Sequence, residues 1–582
     1  MRGYFKKALR VLKSEGVAAA FDAAMRQTEI LRLNREYRRW LLQNGQLTPE
    51  EREEAARRIA DFAHQPLISI LMPVYNTPEK WLRAAIESVT HQLYPYWELC
   101  IADDYSDRTH IRKILEEYTA ADERIKVVLR DANGHISAAS NSALELVTGE
   151  FTALMDHDDE LSEDALFHIA AEINRLPSVN LLYTDEDKID SRGNRFYPWL
   201  KPDWSPDLFY SMNLLAHLCV YRTQVLRRIG GFRESFEGSQ DYDLALRFIE
   251  HVPPEPICHI PRILYHWRSI RGSAAFDASE KEYAAERGRI AVNEHFERTG
   301  ISARCVPGRA GVHRLKYYGN PDNTNVSIII AVRKARSDLR KILQKLSVAP
   351  RTEIILAGDF AESDPAGDER VMTHNVEDKG LFYVLNRAAQ KASGDIIIFL
   401  DESVLAVSEN WISELTGRAG GKGIGAVSPM ILDDTGRIIH AGYLLGINGG
   451  TGRAHFGGHG ARLDALRRRA ADQNFSAVSA ACMAIRREVL EAEGGFNDVD
   501  FPEFYADVDL CLRLSRRGHR NIWTPSAKVT QERPRILPIN RELEILREKW
   551  NSAFARDPFY NSNLTDCDED FSLASRPRIE RI

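Results

Sequence analysis

Four stretches of this chain occur twice and in the same order, and that repeat limits the fold more than any other feature. Ser69-Ile70-Leu71-Met72 is matched by Ser327-Ile328-Ile329-Ile330, and Asn141 to Asp156 by Asn386 to Asp401 at one constant offset. Gly230-Gly231-Phe232 returns as Gly494-Gly495-Phe496, and Asp241-Tyr242-Asp243-Leu244 as Asp507-Val508-Asp509-Leu510. A chain of 582 residues is too long for one core. The repeat therefore predicts two related domains, over 66–300 and 326–540. A helical segment precedes them (1–65), a Gly/Pro/Arg-bearing linker joins them (301–325), and a helix and polar tail follow (541–582). Inside the first domain, apolar Leu67 to Leu71, helical Trp81 to His91 and apolar Trp97 to Ala102 alternate. Such alternation predicts an α/β fold with a mostly parallel sheet, whose ligands bind beyond the strand carboxyl ends.

Composition narrows the class. The net charge is −7 and no basic patch interleaves with aromatics, so nucleic acid is not an expected partner. Seven cysteines are scattered without a C-x-x-C pair, which reads as reduced thiols rather than a disulfide frame or a zinc site. No apolar run reaches the ~18 residues of a membrane span. Together these point to a cytoplasmic protein.

The N-terminal segment leaves two readings open. Phe5, Ala8, Leu9 and Leu12 share one helix face while Lys6, Lys7, Arg10 and Lys13 lie elsewhere, the pattern of a basic amphipathic helix at a membrane surface. The same spacing at Leu33, Tyr37, Trp40 and Leu41, followed by the capping box Thr48-Pro49-Glu50-Glu51, equally suits a helical pair packed on the next domain.

Chemistry concentrates at two acidic clusters of the first domain. Asp156-His157-Asp158-Asp159 follows the apolar run Phe151 to Met155. Carboxylates delivered together at a buried strand exit are costly unless a cation sits among them. Asp156 and Asp158 suit a divalent ion, Mg2+ or Mn2+, placed to stabilise the charge of a departing diphosphate. Asp241 enters a helical pattern and suits a general base that takes the proton of an attacking hydroxyl. Asp104 and Tyr75 offer an acid and a flat wall for a base ring. Each cluster also has a plainer reading: DHDD alone fits a solvated turn capped by Asp159 or Ser162, and Asp241 with Asp243 alone suits a helix N-terminus.

The first half carries PVYN at 73–76, ADDYSD at 102–107, NGHISAASN at 133–141, DHDDE at 156–160, EGSQDYDLALR at 237–247 and LYHWR at 264–268. In that order these motifs resemble the family 2 glycosyltransferases of the GT-A fold. The resemblance implies a nucleotide-sugar site that includes Pro73, Tyr75, Asp104, Asn141, Asp156, His266 and Arg268, metal at Asp156 and Asp158, and Asp241 as catalytic base. It departs at Gln240, where Glu is commoner, and at Ala139, where many members carry a basic residue. The second half resembles the tandem-domain members of bacterial surface-polysaccharide assembly, through HAGYLLG at 440–446, SAACMAIRREVL at 479–490, ADVDLCLRL at 506–514 and DPFYNSNL at 557–564. There Asp401, Glu402 and Asp507 hold the corresponding acid positions, but Ser403 stands where the first half has Asp158, and Ala331-Val332-Arg333-Lys334 replaces PVYN. The resemblance implies metal-dependent, inverting transfer of a sugar from a nucleotide-sugar donor to a growing or lipid-linked glycan; peripheral contact at the inner membrane face goes with the first reading of the N-terminal helix. Two alternatives stay open: a bifunctional enzyme with both halves active, and a non-catalytic glycan-binding scaffold.

Overall fold

The computed structural model describes residues 2–253, 257–269, 278–318, 324–333, 343, 346, 351–359, 370–532 and 537–582, with the side chains of 2–20 and 278–282 left outside the description. The expected basic face at residues 5–13 falls outside it, as does Lys334. Strands β1 (Ile68–Val74) and β2 (Trp97–Asp103) are buried at every position. Such unbroken apolar runs belong to a parallel sheet covered on both faces. One cover is the helix Glu79–Thr90, which buries Leu82, Ala85, Ile86 and Val89 on one stripe.

With β3 (Ile125–Leu129) and β4 (Phe151–Leu154), these strands form the parallel half of the first sheet, in the order β3-β2-β1-β4. The sheet continues through β8 (Cys219–Arg222), β6 (Leu181–Ile189), β9 (Ile257–Arg268) and β5 (Glu160–Leu161), and this half mixes parallel and antiparallel pairs. Val74 pairs with Asp103 and Leu71 with Leu154. Tyr75, Asp104 and Asp156 therefore emerge side by side at one sheet edge, the crevice position that the alternation predicts.

The second domain repeats this order: Val371–Asn375, Thr352–Gly358, Val326–Val332, Ile396–Leu400, Cys482–Arg486, Ile424–Leu432, Arg520–Gln531 and Val404–Val407. The repeat extends to single contacts. Ser69 Oγ donates to Glu98 and accepts from Gly149 N; Ser327 Oγ donates to Glu353 and accepts from Gly394 N.

The stretch 301–325, expected as a linker, carries a hairpin over Ala303–Pro307 and His313–Tyr317. Its Cys305 and Leu315, with Val312 of the turn between the strands, are buried, which turns a connector into part of the core. Arg418 of the second domain donates to the Leu315 carbonyl at 2.8 Å. Asp207 of the first domain accepts from Asn474 Nδ2 at 2.7 Å and from Arg520 Nε at 3.1 Å. The tail ties both domains together. Asn561 Nδ2 donates to Asp185 and to the Lys201 carbonyl, both at 2.8 Å, while Asp557 accepts from Ser476 Oγ and Leu445 N.

At the N-terminus, Arg2–Asn44 is one helix and Pro49–Asp61 a second, with both halves of the expected Thr48/Glu51 capping box formed. Tyr37 is fully buried and donates to Asp187 at 2.6 Å, so the later part of the long helix packs on the first domain. No helix among the described residues is long and apolar enough to cross a membrane. Six cysteines are buried as free thiols, and Cys567 is exposed.

Candidate active site

The acidic loop leaves β4 and is closed back on the sheet by β5, whose Glu160 and Leu161 pair with His266 and Tyr265 of β9. Asp159 N donates to the Asp156 carbonyl at 3.3 Å. This turn brings residue 159 back beside residue 156. One ligand atom each from Asp156, Asp159 and His217 lies within 4.8 Å of the others. The acids whose ligand atoms converge are thus Asp156 and Asp159, joined by His217; Asp158, expected beside Asp156, does not fall in this group. Two carboxylates and an imidazole form a donor set suited to Mn2+ or another divalent ion.

Several contacts fix this group. Tyr265 OH donates to Asp159 Oδ2 at 2.5 Å, and Arg268 N donates to Oδ1 at 2.6 Å. The His217 ring stacks on Tyr265 at 4.6 Å between centroids; its Nε2 lies 3.8 Å from Asp156 and its Nδ1 3.4 Å from Glu186. Buried Lys201 bridges Glu186 at 3.2 Å and the His217 carbonyl at 2.5 Å. Burial pushes the Asp159 carboxyl well above its usual range, and the Asp158 and Asp156 charges add to that. Burial also raises Asp158. Desolvation pulls His217 down, but the Asp156 and Glu186 carboxylates beside its ring outweigh this and raise it well above an ordinary histidine. Burial opposes ionisation of Asp156 too, but the neighbouring His217 outweighs it and holds that carboxyl below its usual range. The group thus already gathers positive charge in the form of a proton on His217, and a divalent cation that displaced this proton would fit the same acids.

Asp241 opens the helix Gln240–Ile249 and accepts from Asn213 Nδ2 at 2.7 Å. Burial raises its carboxyl; His217 opposes this and Asp156 reinforces it, which places Asp241 in the field of the same group.

Other expected site residues have structural partners. Asp104 is 2% exposed and accepts from Gly134 N at 2.9 Å, with Arg130 Nε at 3.0 Å. Tyr75 stands 48% exposed at the crevice, open to stack on a ring. The Pro73 carbonyl accepts from His157 Nδ1 at 2.8 Å. Asn141 both donates to and accepts from the Phe232 backbone, which makes it a strut of the Gly230-Gly231-Phe232 turn. His266 is held by Asp187 at 2.6 Å. Arg268 is 1% exposed, donates to the Asp158 carbonyl and Glu160, and lies 4.1 Å over the Trp81 ring. Arg268 thus braces the acidic loop from behind, while the His266 side chain is tied to β6.

Sequence reading missed Asp159, His217, Glu186, Lys201 and Asn213 as site residues. One signal was present: Asp185-Glu186-Asp187 puts three acids on one buried strand, which demands partners. Nothing in sequence marks His217.

In the second domain, Asp401 accepts from both Ser403 N at 2.8 Å and Ser403 Oγ at 2.5 Å. Glu402 beside it is half-buried. Asp507 accepts from Ala480 N and Val508 N, each at 3.0 Å. Arg333, at the position of Tyr75, clamps Asp378 and Glu503 across the crevice mouth at 3.1 and 2.5 Å. Among the described residues no metal-ligand group forms here.

A mixed sheet whose parallel half ends at one crevice, built twice, defines a tandem α/β class of the doubly wound type. The sequence comparisons agree with it. Residues 69–230 match the family model "Glycosyl transferase family 2" and residues 322–551 match "Glycosyltransferase like family 2", which together cover more than half of the chain. The chain belongs to the family 2 glycosyltransferases. It is 37% identical over 562 residues to an uncharacterized protein, y4gI, of Sinorhizobium fredii (90% of this chain, 61% of that one). It is 32% identical over 553 residues to the O-antigen biosynthesis protein RfbC of Myxococcus xanthus (90% of this chain, 42% of that one). A chondroitin synthase of Escherichia coli is 31% identical over 245 residues, 42% of this chain and 34% of that one. The chain thus spans less than two thirds of the length of each of these relatives.

Proposed function

We propose that the first domain transfers a sugar from a nucleotide-sugar donor to a glycan acceptor in surface-polysaccharide assembly, by a single inverting displacement. The observation that carries this reading is the convergence of Asp156, Asp159 and His217, with Asp241 in their field, at the carboxyl ends of the strands. Asp156, Asp159 and His217 would hold a divalent metal, which when bound neutralises the charge of the diphosphate leaving group. The Glu186–Lys201 pair fixes the orientation of His217, and the Tyr265 hydroxyl does the same for Asp159. Tyr75 presents its face to the donor's base ring. The acceptor oxygen bonds to the anomeric carbon as the bond from that carbon to the diphosphate oxygen breaks, and Asp241 takes the acceptor proton on its carboxylate. Burial that raises the Asp241 carboxyl brings it nearer the pH at which a general base works best.

The second domain is read as a non-catalytic partner that grips the acceptor. Ser403 caps Asp401, and the Arg333 clamp stands where a base ring would lie. The O-antigen role printed for a relative supports a growing or lipid-linked acceptor, and free buried thiols suit the cytoplasmic side of the membrane.

Incubation of the purified full chain with a panel of UDP-, GDP- and dTDP-sugars tests this reading against a glycan-binding scaffold. Slow donor hydrolysis with Mn2+, abolished by chelator, is expected. Hydrolysis that survives excess chelator, or none with any donor, contradicts it.

A further inference from the structure

Away from the donor crevice, a cavity of about 260 Å³ opens where four parts of the chain meet. The long N-terminal helix supplies Arg32 and Glu36, the first domain Pro198 and Leu200, the second domain His455, Phe456 and Arg468, and the tail Asp570 and Phe571. Arg468 is 6% exposed, and among the described residues it has no ion pair. One of its amino groups donates to the Leu200 carbonyl, while its Nε is buried without a hydrogen-bond partner. Nε of the neighbouring Arg469 is likewise buried and unpartnered. A buried guanidinium left partly unsatisfied is costly, and a structure that retains one has a use for the donor.

The remaining lining identifies the ligand class. Arg32, Arg468 and Arg469 face five carboxylates, those of Glu29, Glu36, Asp464, Glu569 and Asp570. Most of these acids are already countered, with Arg32 paired to Glu36 and Asp570, Arg469 near Glu29 and Arg453 paired to Glu569 at 3.1 Å, so a lining close to charge balance favours a neutral ligand over a phosphate or a cation. A ring of hydroxyls is donor and acceptor at once and satisfies both kinds of group. Apolar walls stand beside them: Phe571 stacks on His455 with centroids 5.0 Å apart, and Phe456 is 41% exposed at the rim. Burial holds the His455 ring neutral, with a pKa of about 3, so it adds no charge.

We propose that this cavity is a neutral-saccharide site that anchors a segment of the acceptor glycan outside the donor crevice. The assignment rests on the glycan acceptor proposed above, but the site's own binding is separately measurable. Its volume lies just below the ~300–1,000 Å³ of drug-sized pockets, which suits a short stretch of sugar rather than a long chain. Because the helix, both domains and the tail each form a wall, occupancy would also lock the assembly together.

Saturation-transfer NMR on the full chain tests the proposal, with the methyl glycosides of glucose, galactose, mannose, rhamnose and N-acetylglucosamine at millimolar concentration. At least one is expected to bind. Arg468→Met should weaken it roughly tenfold or more without lowering the melting temperature, since it removes an unpaired buried charge. Phe456→Ser, at the exposed rim, should weaken it too, with Mn2+-dependent donor hydrolysis unchanged in both variants. No binding by any of the five overturns the proposal. So does binding that both variants leave intact, or that Asp241→Asn alone removes. Pocket-dependent binding without donor hydrolysis would uphold this site and count against the catalytic reading instead.

Discussion

At Gly231 the backbone has φ of 66°, and an added Cβ would sit 2.5 Å from Asn141 Oδ1; at Gly495 the figures are 79° and 2.6 Å from Asn386 Oδ1. Gly230 shares the left-handed conformation but has nothing within 4 Å of such an atom. Gly230→Ala should therefore cost only backbone strain, ~1 kcal/mol, and Gly231→Ala that plus the clash, up to ~3 kcal/mol, in denaturant unfolding. Equal losses would show that the Asn141 strut does not hold the turn. The metal group is tested at the same scale. Asp159→Asn and His217→Ala should raise the Kd for Mn2+, read from the free-ion EPR signal, by roughly 10–100-fold, and Asp158→Asn by less. A larger loss in Asp158→Asn would restore the pair that the DHDD spacing suggests. The cluster itself was legible because four consecutive polar residues after a buried strand need a reason. Which acids face one another was not, since that depends on a turn closed by backbone hydrogen bonds.

Individual elements were legible where burial is continuous. The β1 and β2 runs are apolar throughout and the intervening helix shows one buried stripe, so alternation alone gave the parallel half. The mixed half was not legible, because β8 inserts antiparallel between strands that are far from it in sequence, and the hairpin at 303–317 is too short and polar to stand out. Glu98 of β2 shows how such elements are pinned. It accepts from Lys126, Ser69, Thr148 and Gly149, which together outweigh burial and hold its pKa at about 2. A carboxyl depressed on folding contributes stability that is complete above its unfolded value and is lost as pH falls through the folded one. The window here runs from about 4.5 down to about 2. At ~1.4 kcal/mol per unit the upper bound is ~3 kcal/mol, reduced by solvent screening around the half-exposed Lys126. Glu98→Gln should lower the melting temperature at pH 6 and flatten its decline towards pH 3. A decline as steep as in the parent protein would assign the acid sensitivity elsewhere.

Across the whole molecule, the tail adds a tie between the two copies of the fold to the direct contacts at Asp207. Residues 557–563 reach Asp185, Lys201 and Pro261 of the first domain and Ser476 and Leu445 of the second. Truncation after Arg556 removes these partners and leaves Asp185 with His259 and the Lys201 amide, so calorimetry should show a lower melting temperature and two resolved transitions. A single unshifted transition would mean the domain interface holds without the tail. The two copies differ in equipment rather than in plan: the first gathers two acids and a histidine, whereas in the second Arg333 pairs with Asp378 and Glu503 and Ser403 bonds to Asp401. The most direct test of that division is sugar transfer, or donor hydrolysis where no acceptor is found, measured with Mn2+ for full-length Asp241→Asn and Asp507→Asn side by side. Asp241→Asn should fall by roughly 10²–10⁴ with donor affinity near that of the parent, while Asp507→Asn keeps most of the rate. Equal losses, or the larger loss in Asp507→Asn, would contradict the assignment of chemistry to the first domain.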